Sequence, residues 1–202
     1  MVAPKPQKTH QFHMTKSISA YPAFRRLGCF RHGISASILT QPQKLGLQLK
    51  CDLDNVTNLR ASGDDFRWYV QAKCTNCGQE FPDFIYVCPA ERVALKDSRG
   101  DANLIIRCKF CNRVGNVDIV SGSDAAYNAE DSGQFKTILV FECRGVELIA
   151  FSPRVGWSAN GLDSGTSFVD ISLSDKNWCD YDDKGDCEVN IFNVESRFVK
   201  LK

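Results

Sequence analysis

From Leu45 to Lys202 this sequence contains no histidine; His10, His13 and His32 all lie upstream. That absence removes Ser-His and Cys-His nucleophile pairs, the commonest general base and every mixed Cys/His zinc set from the body of the chain. It also removes the His-x-Glu ligand-and-acid pairing of the zinc deaminases. Acid is what the other end lacks: residues 1–44 carry seven Lys/Arg and no Asp or Glu. No apolar run approaches the ~20 residues that a membrane-spanning helix needs, so no membrane partner is expected. No segment sustains a helical period beyond about ten residues, which leaves an all-β class. There is no P-loop and no GxGxxG, hence no motif for a nucleotide cofactor.

What is present is ordinary in bulk and uneven in distribution. Apolar residues make up 43% and charged residues 24% of 202 positions, enough for a soluble domain with a real core. The overall charge of +1 hides a body in which 18 basic side chains meet 24 acidic ones across residues 45–202, a net of −6. A negative body argues against nucleic acid as a partner. Residues 1–44, punctuated by Pro4, Pro6, Pro22 and Pro42, read as a disordered or targeting N-terminal extension. An Arg- and Ser-containing, acid-poor start has the composition of a transit peptide, but the apolar face of an amphipathic helix is hard to draw in it. The expected location is therefore cytoplasmic, or mitochondrial if the extension is a genuine transit peptide.

Ten cysteines in a chain this long, with no signal peptide, read as metal chemistry in a reducing compartment rather than a disulfide framework. Two Cys-x-x-C hooks stand out, Cys74-Thr75-Asn76-Cys77 and Cys108-Lys109-Phe110-Cys111, separated by 30 residues. Four thiols delivered as two short-spaced pairs match what a tetrahedral Zn²⁺ requires. Gly78 after the first hook, and Asn112 after the second, suit the left-handed backbone that turns a chain past the second ligand. Four thiolates fill the tetrahedron, which favours a closed structural site over a catalytic one with an open water position. The competing reading is redox: a Cys-x-x-C pair can cycle between dithiol and disulfide when it opens a helix, and neither hook does so.

The alternation around the hooks places them at strand ends. Leu45, Leu47, Leu49, Cys51 and Leu53 alternate with Gly46, Gln48, Lys50 and Asp52; Phe66, Trp68 and Val70 then run into the first hook. Residues 84–87 and 104–106 read as strands, the latter entering the second hook, and 117–120 as the strand leaving it. Residues 121–133 form a polar connection. A second half follows with strands over 137–142, 146–151, 167–173, 189–194 and 197–201, and turns at Arg144-Gly145, Asn160-Gly161 and Ser164-Gly165. Domain boundaries are set at 1–44 and 45–202, the body dividing into halves of about 45–120 and 134–202. Leu47-Gln48-Leu49-Lys50-Cys51 and Leu139-Val140-Phe141-Glu142-Cys143 share a pattern, consistent with a duplicated β-sandwich.

The remaining cysteines sort by context. Cys29 lies in the extension; Cys51 and Cys143 sit in strand patterns as small buried hydrophobes. Cys88 packs in the core or lies within reach of the hooks. Cys179 and Cys187 bracket the Asp-rich residues 180–186, which read as a solvated acidic loop without the spacing of a Ca²⁺ site. Trp68, Trp157 and Trp178 read as core anchors, with Trp157 the most exposed of the three. A hydrolase using carboxylates alone, such as Asp163 or Asp170, has no spacing that pairs them.

Several longer segments carry a resemblance: Leu47-Gln48-Leu49-Lys50, Asn55-Val56-Thr57-Asn58-Leu59, Asp65-Phe66-Arg67-Trp68-Tyr69 and both hooks. Tyr127-Asn128-Ala129-Glu130-Asp131, Phe135-Lys136-Thr137-Ile138, Phe141-Glu142-Cys143-Arg144-Gly145 and Asp180-Tyr181-Asp182 extend it to nearly the whole body. With these the chain resembles the eukaryotic CXXC-motif-containing zinc-binding protein family. The resemblance implies a monomeric β-rich protein with a duplicated sandwich-like architecture and one Zn²⁺ held by Cys74, Cys77, Cys108 and Cys111. It implies no established enzymatic activity, and an association with copper-chaperone biology. Family members begin near the position of Leu45, so the extension is the departure. The function expected is that of a non-catalytic adaptor in protein interaction or metal homeostasis. A thiol redox or metal-transfer factor using the hooks is the alternative.

Overall fold

A computed structural model describes residues 41–96 and 100–202; the extension, up to residue 40, and Cys29 with it lie outside the described residues. The described chain is almost entirely strand. In order it forms β1 (Gln43–Asp54), β2 (Val56–Ala61), β3 (Trp68–Cys74), β4 (Ile85–Val87), β5 (Val93–Ala94), β6 (Asp101–Ala102), β7 (Leu104–Arg107) and β8 (Val114–Ile119). A single 3-10 turn (Ala129–Asp131) separates these from β9 (Lys136–Arg144), β10 (Val146–Ser152), β11 (Trp157–Gly161), β12 (Ser167–Ile171), β13 (Trp178–Asp182) and β14 (Cys187–Lys200).

A six-stranded sheet runs β13-β14-β1-β9-β8-β7, with three-stranded sheets β10-β3-β4 and β12-β11-β2 and a small β5-β6 ladder. Every sheet of three or more strands draws on both 45–120 and 134–202. The two five-residue segments of like pattern lie side by side, Leu47 opposite Leu139 in the antiparallel β1–β9 pair. One continuous apolar core joins the sheets, with Leu47, Leu49, Val70, Phe141, Ile191 and Trp157 all at or below 1% exposure. In β3 the period-two pattern is complete: Trp68, Val70, Ala72 and Cys74 are buried, and the residues between them half-buried.

Several local expectations change. The last two expected strands, 189–194 and 197–201, are one strand. Its burial phase slips from Val189 and Ile191 to Val194, because β1 and β14 change register between Lys50 and Asp52. Asn193 takes φ 54° at that bulge, so a change of face imitates a strand end. Asn160-Gly161 is not a turn but the end of β11, where Asn160 pairs with both Thr57 and Ser167. Trp157 is buried at 1%, packed edge-on against Phe66, Trp68 and Phe151 with ring centroids 5.2, 5.7 and 6.4 Å away.

The acidic stretch 180–186 is also more ordered than a solvated loop. It forms the β13–β14 hairpin, and Asp182 is buried at 1%. Its carboxylate accepts from the Ser164 hydroxyl, from Thr166 Oγ1 at 2.7 Å and from the backbone N–H groups of Lys184 and Gly185 at 3.0 Å. Gly161 leaves the room for it, since a Cβ there would collide with Asp182 and Ser164. The Ser164 bond, then Thr166 and the two N–H groups, hold the Asp182 carboxyl down to about 2, against 3.8 for an ordinary Asp. A lowered folded-state value contributes stability that is complete above the ordinary value and is lost as pH falls toward the folded one. The thermal midpoint difference between wild type and Asp182→Asn should therefore be constant at neutral pH and narrow between pH 3.8 and 2. A difference that does not change with pH across that window would show that the carboxylate charge is irrelevant to the hairpin.

Candidate metal centre

Each hook is a backbone device before it is a ligand set. β3 ends at Cys74 and β7 ends one residue before Cys108, so both hooks begin where a strand releases the chain. The Gly78 N–H donates to the Cys74 carbonyl and the Asn112 N–H to the Cys108 carbonyl, both at 2.9 Å. The Cys74 N–H donates to the Gln79 carbonyl at 2.8 Å, and the Cys108 N–H to that of Arg113 at 2.9 Å. Gly78 (φ 75°) and Asn112 (φ 59°) both take the left-handed conformation that closes such a turn. Two segments 34 positions apart thus form knuckles with the same pattern of backbone hydrogen bonds.

The knuckles bring Cys74, Cys77, Cys108 and Cys111 together, with all four sulfurs within 4.8 Å of one another. Across the site Cys74 and Cys111 lie 3.7 Å apart, and Cys77 and Cys108 3.6 Å. Sulfurs at about 2.3 Å from a tetrahedral Zn²⁺ stand about 3.8 Å from each other, so the cluster has the dimensions of a zinc tetrahedron. Cys74 and Cys108 are buried, Cys77 exposed and Cys111 half-exposed. The metal-free electrostatics point the same way. The Arg113 N–H, with Asn76 and the neighbouring thiols, pulls Cys111 down to about 6 despite partial desolvation. The Gln79 N–H acts to lower Cys77, yet desolvation and the other three sulfurs push it up to about 12. Four thiols this close resist joint ionisation, and a divalent cation is what lets all four deprotonate.

The centre is tied to the other end of the chain. Cys74 pairs with Val146 on β10, and the Thr75 N–H donates to the Gly145 carbonyl at 3.2 Å. Gly115, directly after the second knuckle, lies against the same β9–β10 turn. A Cβ on Gly115 would come within 2.7 Å of the Arg144 carbonyl oxygen and of Val146 Cγ1. The turn read at Arg144-Gly145 is therefore the surface on which both knuckles rest.

The other cysteines lie apart from the cluster. Cys51 and Cys143 are core side chains, each pushed up to about 12 chiefly by burial. Cys88 is buried at 3% and points its thiol at the Asp64 carbonyl, 3.8 Å away, rather than joining the four sulfurs. Cys187 is raised by desolvation and then by Asp182 and Asp163; it stands opposite Asp182, whereas Cys179 stands opposite Asn190. Asp163 and Asp170 are both exposed, with Asp170 at a left-handed φ of 55° on β12. Sequence reasoning missed a cavity beside the core, lined in part by Ser62, Gly63, Asp64, Ser121, Gly122 and Asp124. The signal for it was available as a recurrence, Ser62-Gly63-Asp64 and Ser121-Gly122-Ser123-Asp124.

Comparison with known proteins bears on the whole body. Residues 46–199 match the family model described as CXXC motif containing zinc binding protein, eukaryotic. A Mus musculus protein of that name is 50% identical over 157 residues, covering 78% of this chain and 98% of the relative. The Homo sapiens counterpart is 48% identical over the same length and coverage. Among solved structures, the crystal structure of C1orf123 superposes with a TM-score of 0.76 at 47% identity, over 78% of this chain and 99% of that one. A hypothetical protein from Plasmodium falciparum reaches 0.71 at 26% identity, over 77% and 99%.

The contact between Gly115 and the Arg144-Gly145 turn can be tested directly. Gly115→Ala forces a methyl against main chain and should destabilise the protein by about 1–3 kcal/mol in urea unfolding. A change within about 0.5 kcal/mol would mean that the turn moves aside freely.

Proposed function

This chain belongs to the eukaryotic family of CXXC motif containing zinc binding proteins, and we propose that Cys74, Cys77, Cys108 and Cys111 hold its Zn²⁺ as a closed structural clamp. The observation that carries this reading is the set of S···S distances of 3.6 and 3.7 Å inside a four-sulfur cluster that spans 4.8 Å. Zn²⁺ bound there supplies charge neutralisation and a crosslink between the ends of β3, β7 and β8. The chain's own contribution is the four thiolates, and the Gln79 and Arg113 N–H groups that stabilise the outer two. A body without histidine supplies no conventional base beside the metal, so no catalytic activity is expected.

On this reading the protein works through contact, as an adaptor in protein interaction or metal homeostasis. Phe110, at the tip of the second hook, is 77% exposed, and Val114 just beyond it is 51% exposed. Apolar side chains held out by a rigid knuckle make a contact surface that the metal keeps in shape. The copper-chaperone association that the resemblance implies makes a metal-trafficking protein the partner to test first. A monomeric, cytoplasmic protein that binds neither nucleic acid nor membrane fits the acidic body. No helix among the described residues is long and apolar enough to cross a membrane. The second reading, a metal-transfer or redox factor, is favoured by one feature: Cys77 is exposed and Cys111 half-exposed, so the outer sulfurs face an approaching ligand.

Two measurements separate these readings. Wild-type protein should carry one zinc per chain, whereas Cys74→Ser should lose it and melt at lower temperature; a variant that kept both would sink the clamp. Thiol titration should find the four cluster sulfurs shielded in loaded protein and released together on adding chelator. Fast reaction of Cys77 with zinc still bound would instead support transfer or redox chemistry.

A further inference from the structure

At the second knuckle charge runs against the trend of the body. Residues 45–202 carry a net of −6, yet residues 107–114 hold three cations, Arg107, Lys109 and Arg113, and no acid. The first knuckle, residues 74–79, adds no charge of either sign beyond its thiols. Arg107, Lys109 and Arg113 are all exposed, and none forms an ion pair among the described residues. Nearby cations are matched instead. Arg144, on the turn that supports the knuckles, holds Glu142 at 2.6 Å, and Lys73, just before the first hook, holds Glu147 at 3.4 Å. A Zn²⁺ held by four thiolates carries a net of −2, and three cations exceed it.

The same stretch exposes apolar side chains. Phe110 at the tip is 77% exposed and Val114 at the base 51%. Arg107 and Val114 are register partners in the β7–β8 ladder, so a cation and an apolar side chain share one face there. Lys109 adjoins Phe110 at the tip, and the bond from the Cys108 N–H to the Arg113 carbonyl, at 2.9 Å, returns Arg113 to the start of the hook. Positive and apolar groups thus lie next to each other at both ends of the knuckle.

Resting on the reading of the hooks as a contact surface shaped by metal, we infer that the second knuckle docks an acidic segment of a partner protein that carries an apolar anchor. Carboxylates of that segment pair with Arg107, Lys109 and Arg113, and its aliphatic or aromatic side chain covers Phe110 and Val114. Complementary charge orients the encounter, while the desolvated apolar contact supplies most of the affinity. A nucleic acid would meet the same three cations, but the acidic body around them repels a polyanion longer than the patch.

Fluorescence anisotropy of the zinc-loaded full chain tests this with a labelled peptide that alternates glutamate with leucine and phenylalanine. The controls are the same peptide with lysine in place of glutamate, the same peptide with serine in place of its apolar residues, and oligouridylate. Saturable binding of the acidic apolar peptide is expected, tighter than that of every control and weaker as ionic strength rises. Arg107→Glu and Phe110→Ser should each weaken it about tenfold. Arg107 lies outside the hook, so its variant carries the test alone if Phe110→Ser loses zinc. No saturable binding would overturn the inference, as would a control that binds equally well, a preference for oligouridylate, or an Arg107→Glu variant that binds like wild type. Zinc content measured on every sample separates a lost docking contact from a lost clamp, which the Cys74→Ser variant decides by itself.

Discussion

Negative charge has to be reconciled where the two knuckles meet, and much of the architecture follows from that requirement. Four sulfurs within 4.8 Å cannot all ionise side by side in the absence of a cation. Holding them there takes two strands that stop at the right place, two left-handed residues that close the turns, and a platform that keeps the turns in register. The platform is the Arg144-Gly145 turn, approached so closely by Gly115 that no side chain fits between them. Through that turn the demand for a neutralised sulfur cluster reaches β9 and β10, and β9 lies beside β1 at the centre of the largest sheet.

The legible part of this structure is the part in which spacing is local. Both hooks, their trailing Gly78 and Asn112, and the alternation of β1 and β3 each obey a rule that spans fewer than a dozen residues. The illegible part depends on partners far along the chain. β2 and β11 form a pair in which Thr57, Arg60, Ser158 and Asn160 meet across the ladder, and such polar residues carry no period-two signal by themselves. Trp157, in Gly156-Trp157-Ser158-Ala159-Asn160-Gly161, looks exposed from its neighbours; Phe66 just before β3, Trp68 on β3 and Phe151 on β10 bury it. Asp182 looked like one of many solvated acids, because its donors, Ser164 and Thr166, arrive from a different hairpin.

Polar burial and apolar exposure divide the molecule by role. The core tolerates Asp182 and Asn103 because each is fully partnered; Asn103 Nδ2 donates to the carbonyls of Cys88, Pro89 and Glu91 while its Oδ1 accepts the Ile119 N–H. Those contacts fix the long connection between β4 and β7 against β8. Phe110 and Val114 break the opposite rule, exposed on the second knuckle and at the start of β8.

The pairing of β1 with β14 sets an order of events during synthesis. The first described strand has the last as its neighbour, so its ladder on that side cannot form until β14 has left the ribosome. Until then Leu45, Leu47 and Leu49 remain an open, apolar strand edge of the kind that other chains can capture. Both knuckles and the turn they rest on, by contrast, are complete once Val146 has emerged. A nascent chain can therefore take up its metal well before it can close its sheet, and zinc supply at that stage bears on how long the exposed edge stays open.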